Sequence, residues 1–256
     1  MEPDWKRLTK RKLVLVTGAS RGIGKAIADC FADYGYLVVL NARNAAELKK
    51  AAAEIEARGI PCVTAAGDAA DFGFVKTLFS SMERIAMEQG YENAIDILIN
   101  NAGISRIGLL QDMSREAWEE IVNINLGSVF NTCHEAIPRM LRRHSGRILN
   151  ISSVWGEAGA SCEAAYSATK GGINAFTKAL GKELAPSGIA VNALALGAID
   201  TSMNGQLNEA EREELISEIP AGRMASPEEV AKLCLKLCTA GEYLTGQVIR
   251  FDGGWI

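Results

Sequence analysis

The sequence predicts an α/β fold in which one parallel sheet carries helices on both of its faces. Short segments of apolar and β-branched residues alternate along the chain with longer amphipathic segments. Parallel neighbouring strands require crossover connections of about a dozen residues or more, and the amphipathic segments have that length. The first strand segment, Leu13–Thr17, is apolar up to its last residue, which is typical of a strand covered on both faces.

Seven segments are predicted to be strands because aliphatic and β-branched residues dominate them. In chain order they are residues 13–17, 36–41, 61–65, 96–100, 147–151, 190–195 and 247–251. Apolar residues at helical spacing predict helices between them. These helices cover residues 25–34, 45–58, 72–88, 114–141, 165–185 and 227–237. Right-handed crossovers arrange such a chain as a doubly wound, Rossmann-type parallel sheet.

The whole chain, residues 1–256, is predicted to be one domain. Its length suits a single α/β domain, and no repeat, low-complexity linker or change of composition divides it. Residues 1–11 form a basic leader, which fits either a solvated terminal segment or a contact for a phosphorylated ligand. A polar, helix-prone insertion follows the sixth strand at about residues 203–219.

The composition argues against several classes of partner. The formal net charge of −4 gives no reason to expect nucleic acid or an anionic membrane. No apolar segment reaches the roughly 20 residues that cross a bilayer, and none resembles a signal peptide. The six cysteines are scattered and lack the histidines or paired cysteines of a metal site. We therefore expect a cytoplasmic protein with reduced thiols and no metal.

The first strand is followed by a turn with the spacing G-x-x-x-G-x-G, formed by Gly18, Gly22 and Gly24. Glycines allow a backbone to approach a pyrophosphate closely, and the N-terminus of the next helix offers free N–H groups and a favourable dipole. A tight strand–helix turn also requires glycine, so the triplet has a purely structural explanation as well. Its place after the first buried strand favours a dinucleotide site.

The end of the second strand predicts which dinucleotide binds. An acidic residue there would bond the ribose hydroxyls and repel a 2′-phosphate. This chain instead has Ala42 followed by Arg43, and Arg21 lies in the glycine-rich turn. Two guanidinium groups suit a phosphate dianion because each makes paired, charge-assisted hydrogen bonds. The pattern favours NADP(H) over NAD(H); a solvated Arg43 at a strand end is the simpler alternative.

The catalytic end of the site is predicted from a tyrosine–lysine pair. Tyr166 is the one tyrosine of five that has a lysine, Lys170, four residues later. On a helix these two side chains share a face. An ammonium group near a phenol lowers the pKa of the phenol toward the operating pH of a general acid. Such a pair on its own is also common on protein surfaces.

Three further polar residues are expected near this pair. Ser153 stands beside Ser152 at the end of the fifth strand, where a hydroxyl can hydrogen-bond a carbonyl oxygen as negative charge develops. Asn101 follows the fourth strand and borders the same crevice. Asn125 lies inside a predicted helix, a place that asparagine disfavours. Either serine could instead cap the next turn, and an asparagine inside a helix often bonds locally.

Together these motifs resemble the short-chain dehydrogenase/reductase superfamily. The resemblance extends over residues 12–255 and rests on residues 17–24 and 100–103, Asn125, Ser153, Tyr166 and Lys170. It implies that Tyr166 protonates a carbonyl oxygen while NADPH delivers hydride to the carbon. It also implies that Ser153 positions the carbonyl and that Lys170 holds the nicotinamide ribose and lowers the pKa of the tyrosine. Asn125 would hold a water in a proton relay.

The resemblance further implies which residues contact the cofactor. They are Gly18, Ser20, Arg21, Gly22, Ile23, Gly24, Arg43, Asp68, Ala69, Asn101, Ala102, Gly103, Tyr166, Lys170, Gly197, Ile199 and Thr201. Asp68 would contact adenine, and residues 101–103 would line the adenosine ribose. Ile199 and Thr201 would hold the carboxamide. Leu196 stands where the family usually has proline, which predicts a looser turn beside the nicotinamide.

Within the superfamily the chain looks most like the 3-oxoacyl-(acyl-carrier-protein) reductases. The similar stretches are residues 145–148, 220–223 and 245–255. The substrate implied is a small carbonyl compound or an acyl thioester, and whether an acyl carrier protein docks stays open. Where carrier-binding arginines are expected the chain has His144 and Ser187. The nearby Arg139, Arg142 and Arg143 fit either a docking patch or a solvated helix end.

Family likeness also implies a homotetramer, with the helices around residues 114–141 and 165–185 at an interface. It implies too that residues 203–219 form the substrate lid, whose glutamates disfavour an anionic carrier. A reductase or dehydrogenase of a neutral ketone, sugar or sterol is therefore the first alternative. The second is a non-catalytic NADP(H)-binding sensor, although such proteins usually lack the tyrosine, the lysine or the serine.

Overall fold

The computed structural model describes residues 12–88, 90–91, 94–201 and 208–256. The basic leader, residues 1–11, and the first part of the predicted lid, residues 203–207, lie outside the described residues. All seven predicted strands are present, with ends shifted by no more than two residues. They are β1 (Leu13–Thr17), β2 (Leu37–Ala42), β3 (Cys62–Ala66), β4 (Ile97–Asn100), β5 (Gly146–Ser153), β6 (Ile189–Leu196) and β7 (Val248–Phe251).

These strands form one parallel sheet in the order β3-β2-β1-β4-β5-β6-β7. Helices pack on both faces, which confirms the predicted Rossmann-type α/β fold. The helices in the described part are α1 (Gly22–Asp33), α2 (Ala45–Glu56), α3 (Phe72–Glu88), α4 (Arg115–Val122), α5 (Ser128–Leu141), α6 (Trp155–Ala158), α7 (Ala164–Leu184), α8 (Glu209–Glu218) and α9 (Pro227–Thr239). None of these helices is both long and apolar enough to cross a membrane.

Alternate residues of the central strands contribute to two hydrophobic cores. Leu13 and Leu15 of β1 pack with α3, α5 and α7. Val14 and Val16 of the same strand pack with α1, α2 and α9. All four side chains are fully buried. Because successive strand residues face opposite sides of a sheet, this division requires helices on both faces and accounts for the continuous apolar pattern.

The order in which strands are added to the sheet changes direction between β1 and β4. β2 and β3 extend from one side of β1, and β4 to β7 extend from the other. The loops that leave β1 and β4 therefore run to opposite faces, and a crevice opens between them at the carboxyl ends of the strands. Thr17 of β1, Asn100 of β4 and Ser153 of β5 end their strands at this edge.

A π-helical turn interrupts the helix predicted over residues 114–141. α4 ends at Val122, Asn123–Gly127 forms the π-helical turn, and α5 continues from Ser128. The side chain of Asn125, inside this turn, bonds the backbone of Ile104 in the loop after β4. Apolar spacing alone gives little sign of such a turn, because it adds one residue to a helix that otherwise continues.

β5 extends two residues beyond its predicted end, alongside an equally long β6. The register pairs Ser153 with Leu196, and Leu196 pairs in turn with Phe251 of β7. Leu196 is 5% exposed, and its carbonyl oxygen accepts from the amide of Val154. Leu196 thus completes a strand that is paired on both sides, and the looser turn predicted beside the nicotinamide stays a prediction.

Candidate active site

A cleft of about 570 Å³ opens at the switch between β1 and β4. It brings together all the residues predicted for cofactor binding except Tyr166, Lys170, Gly197 and Ile199. The side chain of Ile199 is instead part of a hydrophobic core. Gly197 follows β6 so closely beside β7 that a Cβ atom on it would lie 2.8 Å from Cα of Asp252. Tyr166 and Lys170 are on α7.

The glycine-rich turn belongs to the cleft wall, and two of its glycines, Gly18 and Gly24, have no room for a Cβ atom. Gly18 and Gly22 have φ of +66° and +54°, a region that favours glycine. A Cβ atom on Gly24 would stand 2.2 Å from the carbonyl oxygen of Gly18. α1 begins at Gly22, so the unpaired N–H groups of its first turn belong to residues that line the cleft. This is the arrangement that binds phosphate groups.

Asn101 braces this turn from the neighbouring strand. Its side-chain nitrogen donates to the carbonyl oxygens of Thr17 at 3.0 Å and Gly18 at 3.2 Å. The hydroxyl of Thr17 in return accepts from the amides of Asn101 and Ala102, both at 3.0 Å. The loops after β1 and β4 are thus fixed to each other, and the amide group of Asn101 is used to build the cleft.

Gly24→Ala is expected to weaken dinucleotide binding, because the added methyl group cannot avoid the Gly18 carbonyl unless the turn moves. Overpacking of this kind costs about 1–3 kcal/mol, which predicts a roughly 5- to 150-fold weaker complex with NADPH in a fluorescence titration. Gly241→Ala is the matched control, since a Cβ atom there has nothing within 4 Å. Equal NADPH affinities in both variants would show that the turn does not hold the cofactor.

Two arginines and an unexpected carboxylate surround the end of β2. Arg21 and Arg43 both line the cleft, and Nη1 of Arg43 lies 4.0 Å from Oδ2 of Asp68. Glu47, in the first turn of α2, lines the same wall and accepts from the hydroxyl of Ser20 at 3.5 Å. Two cations and this carboxylate therefore share the part of the cleft in which a 2′-phosphate is predicted.

The predicted catalytic pair lies on one face of α7, as its spacing requires. Lys170 is 4% exposed, and its Nζ donates to the carbonyl oxygen of Ile151 in β5 at 2.8 Å. The same Nζ lies 5.5 Å from the centre of the Tyr166 ring. Burial lowers the pKa of Lys170 to about 8. The ammonium group is thus fixed by the sheet and held over the face of the ring.

The pKa of Tyr166 is raised to about 12, contrary to the prediction that Lys170 lowers it. Burial of the phenol is the main cause, the negative charge of Glu163 adds to it, and a hydrogen bond with Ser153 opposes both. Lys170, held over the ring face, does not outweigh these effects. Tyr166 is therefore a protonated phenol at neutral pH, which is the form that can donate a proton.

The two serines at the end of β5 are used differently. The hydroxyl of Ser152 donates to the carbonyl oxygen of Lys170 at 3.3 Å, which ties β5 to α7. The hydroxyl of Ser153 hydrogen-bonds Tyr166 and accepts from the amide of Trp155 at 3.2 Å. Ser153 is the serine beside the phenol, and it also bonds the first amide of α6.

Asn125 is fully buried, and its side-chain amide already has partners. Oδ1 accepts from the amide of Ile104 at 2.8 Å, and Nδ2 donates to the carbonyl oxygen of Ile104 at 2.9 Å. Nδ2 also donates to the hydroxyl of Thr169 at 3.1 Å. The side chain thus joins the loop after β4 to α7 and uses both of its amide hydrogens. The water-holding role of Asn125 stays a prediction.

The family model described as short chain dehydrogenase matches residues 12–212. The chain belongs to the short-chain dehydrogenase family. Over 252 residues it is 40% identical to a Bacillus subtilis protein described as an uncharacterized oxidoreductase, covering 95% of this chain and 98% of the relative. Over 250 residues it is 40% identical to the 3-oxoacyl-(acyl-carrier-protein) reductase of Chlamydia trachomatis, covering 96% and 98%.

A solved structure gives the same result for this short-chain dehydrogenase. The crystal structure of 3-oxoacyl-(acyl-carrier protein) reductase from Brucella melitensis matches with a TM-score of 0.88 at 33% identity, over 100% of this chain and 97% of that one. These comparisons confirm the predicted family and the likeness to 3-oxoacyl-(acyl-carrier-protein) reductases.

The cleft of this dehydrogenase also contains residues that the sequence analysis did not predict as contacts. They are Asn41, Ala42, Asn44, Glu47, Gly67, Ile104, Ser105, Ile124 and Ser128. Most of them end or follow β2, β3 or β4, so their place after a parallel strand was the signal that could have found them. Ile124 and Ser128 lie in or beside the π-helical turn, for which apolar spacing gave no signal.

The arginines considered for carrier docking are paired with carboxylates. Arg139 and Arg142 contact Glu83 of α3, and Arg143 contacts Asp96, just before β4. This is the amino-terminal edge of the sheet, whereas the cleft of the dehydrogenase opens at the carboxyl ends of the strands. Within one chain these arginines therefore do not border the cleft.

Proposed function

We propose that this short-chain dehydrogenase reduces a carbonyl group to an alcohol with NADPH and that Tyr166 donates the proton. The observation that carries the proposal is the meeting of Tyr166, Ser153 and Lys170 at the end of β5. The relatives named as 3-oxoacyl-(acyl-carrier-protein) reductases support a 3-oxoacyl thioester as substrate. The same likeness supports a single-domain, cytoplasmic homotetramer with α5 and α7 at an interface.

NADP(H) fits the residues that line the cleft. Gly18 has no room for a side chain, since a Cβ atom there would lie 2.9 Å from Nδ2 of Asn101, so the backbone itself forms this part of the cleft wall. The first turn of α1 offers N–H groups to a pyrophosphate, and Arg21 and Arg43 provide positive charge for a 2′-phosphate. When bound, the cofactor supplies the hydride.

The residues of the chain provide the proton and control it. Tyr166 is protonated because burial raises its pKa, and it donates the phenolic proton to the carbonyl oxygen as negative charge develops there. Ser153 bonds the phenol and can hydrogen-bond the same carbonyl oxygen. Lys170 is fixed by Ile151, and its lowered pKa of about 8 allows it to return a proton to the phenolate.

A second candidate, the reduction of a neutral ketone, sugar or sterol, is favoured by the charge of the lid. α8 exposes the side chains of Glu209, Glu211, Glu213, Glu214 and Glu218. Its one arginine, Arg212, is paired with Asp200 at 2.8 Å. A negatively charged helix repels the phosphate of a phosphopantetheine carrier, which argues against a carrier-bound thioester.

A substrate panel with NADPH separates the two candidates. Initial rates are compared for acetoacetyl thioesters of coenzyme A and of acyl carrier protein, and for neutral ketones that include a keto sugar and a keto sterol. Faster turnover of the thioesters is the expected result. Reduction of a neutral ketone without thioester turnover would replace the first candidate by the second. NADPH binding without any turnover would indicate a sensor.

A further inference from the structure

We propose that Glu163 is a specificity-determining residue that excludes substrates with a negative charge beside the reacting carbonyl. The inference rests on the proposed function, which places that carbonyl next to Tyr166. It divides the substrate class by charge: esters, thioesters and amides of 3-oxo acids enter the site, and the free 3-oxo acids are rejected.

Glu163 contacts the cleft wall and lies close to the tyrosine in the chain. It directly precedes α7, three residues before Tyr166, and its Oε1 accepts from the hydroxyl of Ser105, which lines the cleft. A bond from the amide of Gly108 to the carbonyl oxygen of Cys162, at 2.8 Å, fixes the same two segments. The carboxylate is therefore held in place, and its negative charge acts on the phenol.

Two of the usual reasons for a glutamate at this position, a capping hydrogen bond and an ion pair, do not apply. Glu163 is the N-cap residue of α7, but its side chain makes no capping hydrogen bond. In the part of the chain that the structure describes, no lysine, arginine or histidine forms an ion pair with it. Arg106, beside Ser105, is paired with Glu120 of α4, and Lys170 donates to Ile151. The charge is partly buried and is not neutralised by a neighbouring cation.

An unneutralised carboxylate in a partly buried site repels an anionic group strongly, because little water screens the interaction. A neutral ester or thioester next to the carbonyl meets no such repulsion. A 3-oxoacyl thioester satisfies this condition, since the groups around its carbonyl are neutral and its phosphate lies at the far end of the pantetheine arm. Neutral ketones satisfy it as well, so the charge filter suits both candidate substrates.

The test measures how tightly alcohol products bind to the complex of enzyme and NADPH. Alcohols are used because NADPH cannot react with them. The two ligands are the anion 3-hydroxybutyrate and its neutral methyl ester. Their binding is measured by the change in fluorescence of bound NADPH. The wild type is expected to bind the ester on the order of tenfold or more tightly than the anion. Glu163→Gln keeps the shape and an acceptor for Ser105, and should bring the two dissociation constants within about threefold.

Two variants serve as controls. Glu88→Gln makes the same change of charge at an exposed position at the end of α3, outside the cleft, and should keep the wild-type ratio. Ser105→Ala removes the hydroxyl partner but keeps the charge, and it should also discriminate against the anion. Equal discrimination by the wild type and Glu163→Gln overturns the inference, as does a failure of the ester to bind.

Reduction of methyl acetoacetate by the wild type, measured in parallel, tests the proposed function separately. If the charge preference is found but the ester is not reduced, the proposed function fails and the charge filter stands. If the ester is reduced but Glu163→Gln leaves the binding ratio unchanged, the proposed function stands and Glu163 has no such role.

Discussion

Tyr166→Phe is expected to lower kcat for carbonyl reduction about a thousandfold, with little change in NADPH affinity. Phenylalanine keeps the ring that lies over Nζ of Lys170 but has no proton to donate to the carbonyl oxygen. The raised pKa of Tyr166, about 12, means that the phenol holds this proton through the neutral and moderately alkaline range. Steady-state rates at saturating substrate and an NADPH titration measure the two quantities.

The pH profile of the wild type also tests the proton-donor role of Tyr166, because the rates of carbonyl reduction and alcohol oxidation should depend on pH in opposite ways. Reduction uses the protonated phenol, so ionisation of Tyr166 itself should limit the rate only as the pH approaches the raised pKa of about 12, whereas loss of the proton of Lys170, whose pKa is about 8, should slow the return of a proton to the phenolate at lower pH. Oxidation of an alcohol uses the phenolate and should rise with pH across the alkaline range. Tyr243→Phe, which alters an exposed tyrosine, should match the wild type in both. Full activity in Tyr166→Phe would reject the proton-donor role of Tyr166.

Arg43→Asp is expected to shift the cofactor preference from NADPH toward NADH. The change removes a guanidinium group that can pair with a 2′-phosphate and places a carboxylate at the end of β2, where it repels the phosphate and accepts from ribose hydroxyls. Hydrogen bonds to charged groups contribute about 1.5–3 kcal/mol, so the ratio of kcat/KM for NADPH to that for NADH should fall on the order of 100-fold.

Two further variants test whether a change in this ratio is specific to the part of the cleft around Arg43. Arg84→Asp makes the same change of charge at an exposed position on α3, outside the cleft, and should leave the ratio unchanged. Glu47→Gln removes the carboxylate that shares the wall with Arg43 and should favour NADPH further. If Arg43→Asp behaves like Arg84→Asp, Arg43 is only a solvated residue at a strand end.

The fold and the composition of the cleft could be predicted because they depend on local signals. A buried parallel strand such as Leu13–Thr17 is recognisable from its own five residues. Gly18 and Gly24 indicate that two backbone segments approach closely, and in the structure neither has the space for a Cβ atom. Ser153 could be placed at the crevice because parallel strands end at one edge of the sheet, and the family resemblance placed it beside Tyr166.

The electrostatics of the site could not be predicted from spacing. A separation of four residues shows that Tyr166 and Lys170 share a helix face, but not that Nζ of the lysine is turned to Ile151. Nor does it show how deeply the phenol is buried, and this burial decides the direction of its pKa. Glu47 and the π-helical turn at Asn125 were missed for the same reason, because tertiary contacts alone bring them to the cleft.

Because the arginines in the cleft are exposed to solvent, the ionic strength should affect how strongly they bind a phosphate group. The side chain of Arg43 is 55% exposed, and exposed charges are screened by dissolved ions beyond about 8 Å at physiological ionic strength. Its attraction for a 2′-phosphate should weaken as salt concentration rises, whereas the close contacts of the glycine-rich turn, which both nucleotides share, should change little. The difference in affinity between NADPH and NADH would then depend on the ionic strength as well as on the protein, and it would become smaller in a cell with a high salt concentration.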